Sequence, residues 1–245
     1  MCTKLPVALV CGRDKLARQA KTTNINIDIN INSTFESMRE SACTSCEIQA
    51  DKSGYWHPQL YYEHYSDGTF EEVPNSGMTV YYLGRGVNRA NIVPFPPGFK
   101  MVSGNPFARS YDNVTKAWGN STYPGENLAD RVTFNCLDSE GPLPQLNYLW
   151  RTNCSDGLRA QLQFPSCWDG VNLYKTDGSH VAYMSQIDNG VCPPTHPVQF
   201  VHLFFEVLYG VNSIDQTGGG RFVFANGDPT GYGICLSLLL SLDTH

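Results

Sequence analysis

Residues suited to acid–base chemistry are concentrated between Arg159 and Glu206. His180 and His196 lie beside turn residues at predicted strand ends, where binding and catalytic side chains concentrate. His202 and Glu206 alternate onto one face of a later strand. Together with Arg159, these residues form the candidate catalytic set. The competing interpretation is that the histidines only cap loops by hydrogen bonding.

Two reactions on polysaccharides use residues of these types. Glycoside hydrolysis needs two carboxylates across a groove. The carboxylates available for such a pair are Asp138, Asp169, Glu206 and Asp228. β-Elimination of an acidic polysaccharide needs a group that neutralises charge, for which Arg159 or Gln161 is suited. It also needs a base such as His202 or Tyr183. Residue spacing does not choose between these reactions, and it leaves open whether the chain is an enzyme.

Sugar binding without catalysis is the simpler possibility. Aromatic rings cover the apolar face of a sugar, while amides and carboxylates bond its hydroxyls. The candidate substrate-binding residues are Trp56, Gln161, Gln163, Trp168 and Asp169. The alternative is that both tryptophans belong to the core and that Asp169 shapes a Trp-Asp-Gly turn.

Other chemistries lack their sequence motifs. The histidines form no His-x-His pair and no HExxH helix, and apart from Cys43 and Cys46 the cysteines stand singly, so we predict no metal site. There is no G-x-S-x-G elbow and no glycine loop leading into a helix. These absences exclude the corresponding serine hydrolases and nucleotide-binding proteins, and we predict no cofactor.

Alternating patterns place the candidate residues on strands. In Leu158–Phe164 the apolar residues alternate with Arg159, Gln161 and Gln163, which must therefore face the other way. In Val198–Tyr209 one face is wholly apolar from Val201 onward, and the opposite face mixes aromatic residues with His202 and Glu206. This mixed face is typical of a sheet that lines a groove.

The sequence as a whole predicts an all-β protein. Short alternating segments separated by Gly/Pro turns, with 22 Gly and 15 Pro, predict a turn-rich, disulfide-stapled β-sandwich of the jelly-roll type. Residues 33–233 form this single domain, and a short N-terminal helix carries Phe35 and Met38 on one face. We expect residues 1–32 to be an irregular tail, disordered or the product of a wrong start. Residues 234–245 form an atypical C-terminal tail.

The cysteines favour an oxidising compartment. The chain has 9 cysteines, and wide spacing within the body suggests disulfides and secretion. The disulfide candidates are Cys43, Cys46, Cys136, Cys154, Cys167 and Cys192, with the pairing left open. Candidate glycosylation sites at Asn113, Asn120 and Asn153 agree with secretion. The N-terminus is not a convincing signal peptide, because Arg13, Asp14 and Lys15 interrupt its apolar run.

The net charge of the chain limits the kinds of macromolecule that it can bind. The net charge is −6, and residues 1–23 carry five cations against one aspartate, which leaves −10 for the rest of the chain. A body this acidic repels phosphate backbones, so we predict no nucleic-acid partner. No stretch is long and apolar enough for a membrane span, and we expect a monomer.

Several long motifs resemble the fungal family known as domain of unknown function nineteen ninety-six. The motifs are CTSC at 43–46, DKSGYWHPQLYY at 51–62, RVTFNC at 131–136, NCSDGLRAQLQFPSCWDG at 153–170, SHVAY at 179–183, CPPTHPV at 192–198 and FANGDPTGYG at 224–233. The resemblance covers about residues 34–233. It implies a secreted or cell-wall protein, sometimes joined to WSC-type or cellulose-binding modules, and brings no established activity.

Both ends depart from the family pattern. The family has a His-x-His segment before the CTSC motif and a His-Gly-Asp segment after GDPTGYG, and neither is present here. We expect a secreted protein that acts on or binds cell-wall polysaccharide through a polar and aromatic groove. The alternatives are a non-catalytic wall or carbohydrate-binding protein, and a secreted effector with a protein partner.

Overall fold

The strands that carry Arg159, Gln161, His202 and Glu206 pair within one antiparallel sheet. A computed structural model describes residues 35–40, 51–141, 143–149 and 153–240. Its strands are β1 Gly54–Trp56, β2 Leu60–His64, β3 Phe70–Glu72, β4 Asn75–Leu83, β5 Lys100–Gly104, β6 Val132–Cys136, β7 Gln145–Leu146, β8 Leu158–Gln163, β9 Cys167–Trp168, β10 Val181–Ala182, β11 Val198–Gln199, β12 His202–Tyr209, β13 Gly220–Phe224 and β14 Cys235–Leu239. Its helical turns are α1 Phe35–Arg39 and the 3-10 segments η1 Arg89–Asn91, η2 Leu128–Arg131 and η3 Val211–Ser213.

The main sheet has five strands in the order β4-β12-β8-β6-β7. On β12, Leu203, Phe205, Val207 and Tyr209 are buried and point inward. The register pairs Glu206 of β12 with Gln161 of β8, which in turn pairs with Thr133 of β6. Because successive side chains alternate, these three residues share the outer face of the sheet.

Two smaller sheets cover the inner face of the main sheet. Their orders are β1-β14-β5 and β13-β2-β3. Tyr55 of β1 packs edge-on against Phe205 at 5.8 Å between ring centroids, and Phe224 of β13 packs against Tyr209 at 5.9 Å. One hydrophobic core draws on all three sheets. A further small sheet, β10-β9-β11, carries the Trp-Asp-Gly turn. The all-β prediction is confirmed.

Some predicted strands are divided in the structure. The run expected from Val198 to Tyr209 breaks between β11 and β12, where the backbone N–H of Phe200 bonds the carbonyl of Ser166. The chain passes there from the small β10-β9-β11 sheet to the main sheet. This transition covers the first residues of the expected groove face, and both Phe200 and His202 are fully buried.

The end of the described chain is part of the core. Residues 235–239, which the sequence analysis places in a C-terminal tail, form the central strand β14 between β1 and β5. All five residues of β14 are buried. Leu236 and Leu238 belong to the main core, so the packed core extends past residue 233. Residues 1–32 lie outside the described residues.

Two disulfides lie within the described residues. Cys136 at the end of β6 bonds Cys154, and Cys167 of β9 bonds Cys192. The disulfide prediction is confirmed for these four cysteines, and Cys235, absent from the predicted set, is also disulfide-bonded. Cys43 and Cys46 lie outside the described residues. In the described part of the chain, no helix is long and apolar enough to cross a bilayer.

Candidate functional site

Four side chains meet on the outer face of the main sheet. The amide of Gln161 donates to Glu206 Oε1 at 2.6 Å, and the Tyr81 hydroxyl donates to Glu206 Oε2 at 2.9 Å. Arg159 Nε lies 3.6 Å from Glu206 Oε1 and has no hydrogen-bond partner, although it is buried. We call Tyr81, Arg159, Gln161 and Glu206 the outer polar cluster. The structure therefore brings together three residues of the predicted site.

Hydrogen bonds within the outer polar cluster hold Glu206 in place. The hydrogen bond to Glu206 and, second, partial burial raise the pKa of Tyr81, which therefore stays a donor. The carboxylates proposed as partners for Glu206 instead accept hydrogen bonds from backbone N–H groups within turns. Asp138 accepts from the backbone of Glu140, and Asp228 accepts from Thr230 and Gly233. Asp169 accepts from Val171 and Asn172.

His202 is a buried, neutral hydrogen-bonding residue. Its Nε2 bonds the side-chain oxygen of Gln163 at 2.6 Å, and its Nδ1 accepts from the Ser166 hydroxyl at 2.7 Å. Burial, and then the charge of Arg85, lower the pKa of His202 to about 4. Both ring nitrogens are engaged and neither His202 nor Ser166 is exposed. Substrate has no route to this base in the described fold.

His180 and His196 lie apart from the outer polar cluster, beside the small sheet. His180 Nε2 donates to the Lys100 carbonyl at 2.7 Å, and its Nδ1 accepts from the Lys175 N–H. This buried ring ties a loop to β5. His196 is more accessible, and its Nε2 contacts the Ser179 carbonyl at 3.1 Å. The hydrogen bonds of these two histidines hold loops in place, and none of them joins a histidine to Glu206 or Arg159.

The remaining predicted binding residues do not form exposed sugar platforms. Trp168 stacks on the core residue Phe200 at 5.4 Å and donates to the Asn172 carbonyl. Trp56 is partly buried on β1 opposite Ser237. For Asp169, burial raises the pKa, but hydrogen bonds from Asn172 and Val171 outweigh it and hold the pKa at about 2. Trp168 and Asp169 stabilise the predicted Trp-Asp-Gly turn through their hydrogen bonds with Asn172.

A concave site lies at one end of the main sheet. A cleft of about 370 Å³ is lined by Val102, Gly104, Lys116, Ala117, Trp118, Leu128, Arg131, Pro165, Gly178, Val181, Ala182 and Tyr183. We call it the Trp118 cleft. Arg131 ends η2 and directly precedes β6, and Pro165 follows β8, so the cleft opens where these two strands of the main sheet meet their loops. Sequence reasoning missed Lys116, Trp118 and Arg131 as site residues. The sequence feature that could have pointed to this loop is the Trp118-Gly119 pair, which lies between the glycosylation motifs at Asn113 and Asn120.

Tyr183 in this cleft is a donor and not a base. The Ser103 hydroxyl donates its hydrogen to the Gln163 carbonyl at 2.7 Å, so the Tyr183 hydroxyl donates to Ser103 at 2.6 Å. Burial raises the pKa of Tyr183, which keeps the phenol protonated near neutral pH. The Arg131 guanidinium lies 5.9 Å from the Tyr183 ring centroid, within cation–π range.

Among the described residues the two cations of the cleft form no close ion pair, but Arg131 lies near one carboxylate: hydrogen bonds from Thr115 and Val114, and then the charge of Arg131, lower the pKa of Asp112. Neither Lys116 nor Arg131 forms an ion pair with a carboxylate of the described residues. Asp112 lies in the same loop, but its Oδ1 accepts from the backbone N–H groups of Val114 and Thr115. Within the described part of the chain, the Arg131 guanidinium donates one hydrogen bond, to the Leu128 carbonyl at 2.6 Å. Nitrogen donors therefore remain for a ligand.

Backbone hydrogen bonds fix the loop that presents Trp118. Ala117 N–H donates to Glu126 O, and Leu128 N–H donates to Thr115 O, both at 2.9 Å. Gly119 and Gly125 approach so closely that a Cβ on Gly125 would overlap the Ala117 carbonyl oxygen. The candidate glycosylation sites Asn113 and Asn120 are exposed on this loop, and Asn153 is exposed elsewhere. Among the described residues, no group of three His, Cys, Asp or Glu side chains could hold a metal ion.

Comparison with known proteins gives one result. A family model described as a domain of unknown function (DUF1996) matches residues 18–235, which is most of the chain. No curated protein and no solved structure matches the chain.

Proposed function

This chain belongs to the DUF1996 family, and we propose that it is an extracellular protein that binds cell-wall polysaccharide without cleaving it. The binding surface is the Trp118 cleft. The observation that carries the proposal is Trp118 itself, which is 42% exposed at a concave site that Lys116 and Arg131 also line.

The chemistry of the cleft fits a sugar. An exposed indole offers a broad apolar face to the C–H face of a pyranose ring, and its burial on binding is favourable. The side chains of Arg131 and Lys116 act only as hydrogen-bond donors. They therefore suit sugar hydroxyls and carboxylates, which accept hydrogen bonds. Ligand sites generally combine an apolar wall with a few oriented polar groups, as this cleft does.

The disulfides support an extracellular location. Cys136–Cys154 and Cys167–Cys192 are bonds that persist in oxidising compartments. Exposure of Asn113 and Asn120 makes both available for glycosylation there.

The contacts of the candidate acid and base residues in the described part of the chain support binding over cleavage. Glu206 bonds Tyr81 and Gln161, and the other candidate carboxylates hold turns. His202 is buried with both nitrogens engaged, and the Tyr183 phenol is a donor. Neither hydrolysis nor β-elimination has its full set of groups in these contacts.

We expect Trp118→Ala to weaken polysaccharide binding at least tenfold, since truncating a central aromatic anchor of a binding site typically costs more than about 1 kcal/mol. The measurement is isothermal titration with cello-, chito-, laminari- and galacturono-oligosaccharides. Tyr65→Ala is the matched control, because Tyr65 is 64% exposed on the hairpin of a different sheet. Equal affinity of the Trp118 and Tyr65 variants would contradict the proposal.

Incubation with the same glycans tests the enzymatic alternative. We expect the wild-type protein to release no reducing ends and no unsaturated products, even after prolonged incubation. Product formation that disappears in Glu206→Gln would instead identify a hydrolase centred on the outer polar cluster. Failure to bind any glycan, with capture of a defined protein partner, would favour the effector alternative.

A further inference from the structure

Three tyrosines from distant segments meet on the surface near the Trp118 cleft. The rings of Tyr148 and Tyr232 stack at 5.9 Å with 29° between their planes, and the Tyr111 ring meets Tyr232 edge-on at 6.4 Å. Tyr111 is 38% exposed and Tyr148 is 41% exposed. We call these three residues the tyrosine platform. Exposed aromatic rings grouped in this way are uncommon on a surface that serves only solubility.

The backbone beneath the platform is held rigidly. Tyr232 lies in a turn organised by buried Asp228, which accepts hydrogen bonds from Thr230 N–H at 2.9 Å and Gly233 N–H at 2.6 Å. Gly231 has φ +87°, and an added Cβ would meet Phe134 at 2.8 Å, so glycine is required there. The segment that carries Tyr148 is tied to the same turn by Leu149 N–H to Thr230 O. The rings are therefore ordered before any ligand arrives.

Polar groups at the edge of the platform suit sugar hydroxyls. The Tyr111 hydroxyl donates to Asp130 Oδ1 at 2.7 Å, and this bond, followed by burial, raises the pKa of Tyr111 to about 12. The Asp130 carboxylate is exposed and keeps acceptor capacity. Arg109 lies against the same turn, and its Nε is 3.7 Å from Asp228 Oδ1. The Arg109 side chain is 41% exposed. Acceptors and donors thus flank an apolar face.

Residues of η2 contact both the platform and the cleft. Asp130, which holds Tyr111, is followed directly by Arg131, which lines the cleft. The loop from Tyr111 leads to Trp118, so the two surfaces are separated by at most about 25 Å, the length of seven extended residues. This separation corresponds to a few sugar rings of one polysaccharide chain.

We propose that the tyrosine platform is a second sugar-binding surface for the same polysaccharide chain that occupies the Trp118 cleft. The inference rests on the proposed function. A ligand that spans both surfaces gains the second contact without a second loss of translational freedom, so affinity rises with chain length. The competing explanation is that the rings only pack the three loops against one another.

The test compares short and long members of whichever oligosaccharide series binds the wild-type protein. We expect Tyr148→Ala to leave the affinity for a disaccharide unchanged and to lower the affinity for an octasaccharide about five- to tenfold. Tyr148→Phe retains the ring and should retain wild-type affinity, whereas Trp118→Ala should weaken both ligands. Thermal melting of each variant separates binding from loss of fold.

The outcomes distinguish the two proposals. If Trp118→Ala abolishes binding but Tyr148→Ala binds the octasaccharide like wild type, the platform is overturned and the proposed function stands. The platform is also overturned if wild-type affinity does not depend on length, or if Tyr148→Ala lowers only the melting temperature. If the wild-type protein binds no glycan of any length, the proposed function fails and the platform fails with it.

Discussion

Gly125→Ala is expected to reduce polysaccharide affinity as much as Trp118→Ala, although it leaves every side chain of the cleft in place. A Cβ at residue 125 would overlap the backbone carbonyl oxygen of Ala117. A backbone atom does not rotate away, so the two arms of the loop must separate. Separation breaks the hydrogen bond from Ala117 N–H to Glu126 O and displaces Trp118, the next residue. Displacement of a site residue by about 1 Å already weakens function substantially.

Titration of the same oligosaccharides checks this expectation, with Gly84→Ala as the matched control. An added Cβ at Gly84 meets nothing within 4 Å and its backbone is not strained, so binding should stay at the wild-type level. The core strands do not involve this loop, and the circular dichroism of Gly125→Ala should remain that of an all-β protein. Wild-type affinity in Gly125→Ala would show that the loop geometry around Trp118 does not control binding.

The second large expected effect concerns His202 and pH. Burial, and then Arg85, lower its pKa from 6.5 to about 4 in the folded protein. The unfolded chain therefore binds more protons between these values, and the free energy of unfolding falls as pH drops through this window. The full pKa shift of His202 corresponds to about 3 kcal/mol of unfolding free energy. This contribution is present in full above about pH 6.5 and is lost as the pH approaches about 4. Burial also lowers the pKa of His57, which acts in the same direction.

Urea denaturation at pH 7.5 and pH 4.5 measures the effect. In His202→Gln, which removes the titrating ring but keeps a donor and an acceptor, the drop in unfolding free energy should be smaller by about 2 kcal/mol. His196→Gln, on a partly exposed loop, should show the wild-type drop. Because carboxylates titrate equally in all three proteins, the difference between variants isolates His202. An unchanged pH dependence in His202→Gln would be inconsistent with a buried neutral ring.

The binding proposal and the His202 prediction are linked by one structural fact. The groups with the strongest acid–base potential are used to hold the fold: His202 bonds Gln163 and Ser166, and His180 bonds Lys100. The surface left to solvent around the cleft offers an aromatic ring and cationic donors in place of a catalytic pair. This division agrees with the proposal that the protein binds a polysaccharide without cleaving it.

Much of the sheet arrangement follows from local sequence. The alternating pattern of Leu158–Gln163 and the continuous apolar face of His202–Tyr209 place Glu206, Gln161 and Arg159 on the face opposite the core, because side chains of a strand alternate. Turn residues and cysteines likewise indicate a disulfide-bonded all-β fold. The family motifs are continuous stretches of sequence and are visible without coordinates.

The candidate site depended on tertiary structure. Trp118, Arg131 and Tyr183 come from a loop, a 3-10 turn and a strand end that carry no common periodic signal, and only folding brings them around one cleft. The same is true of Tyr111, Tyr148 and Tyr232. Burial of His202 is equally non-local, since it results from the passage of the chain between two sheets. Alternation along a strand is a short-range property of the backbone, whereas convergence and desolvation are set by contacts between residues far apart in sequence.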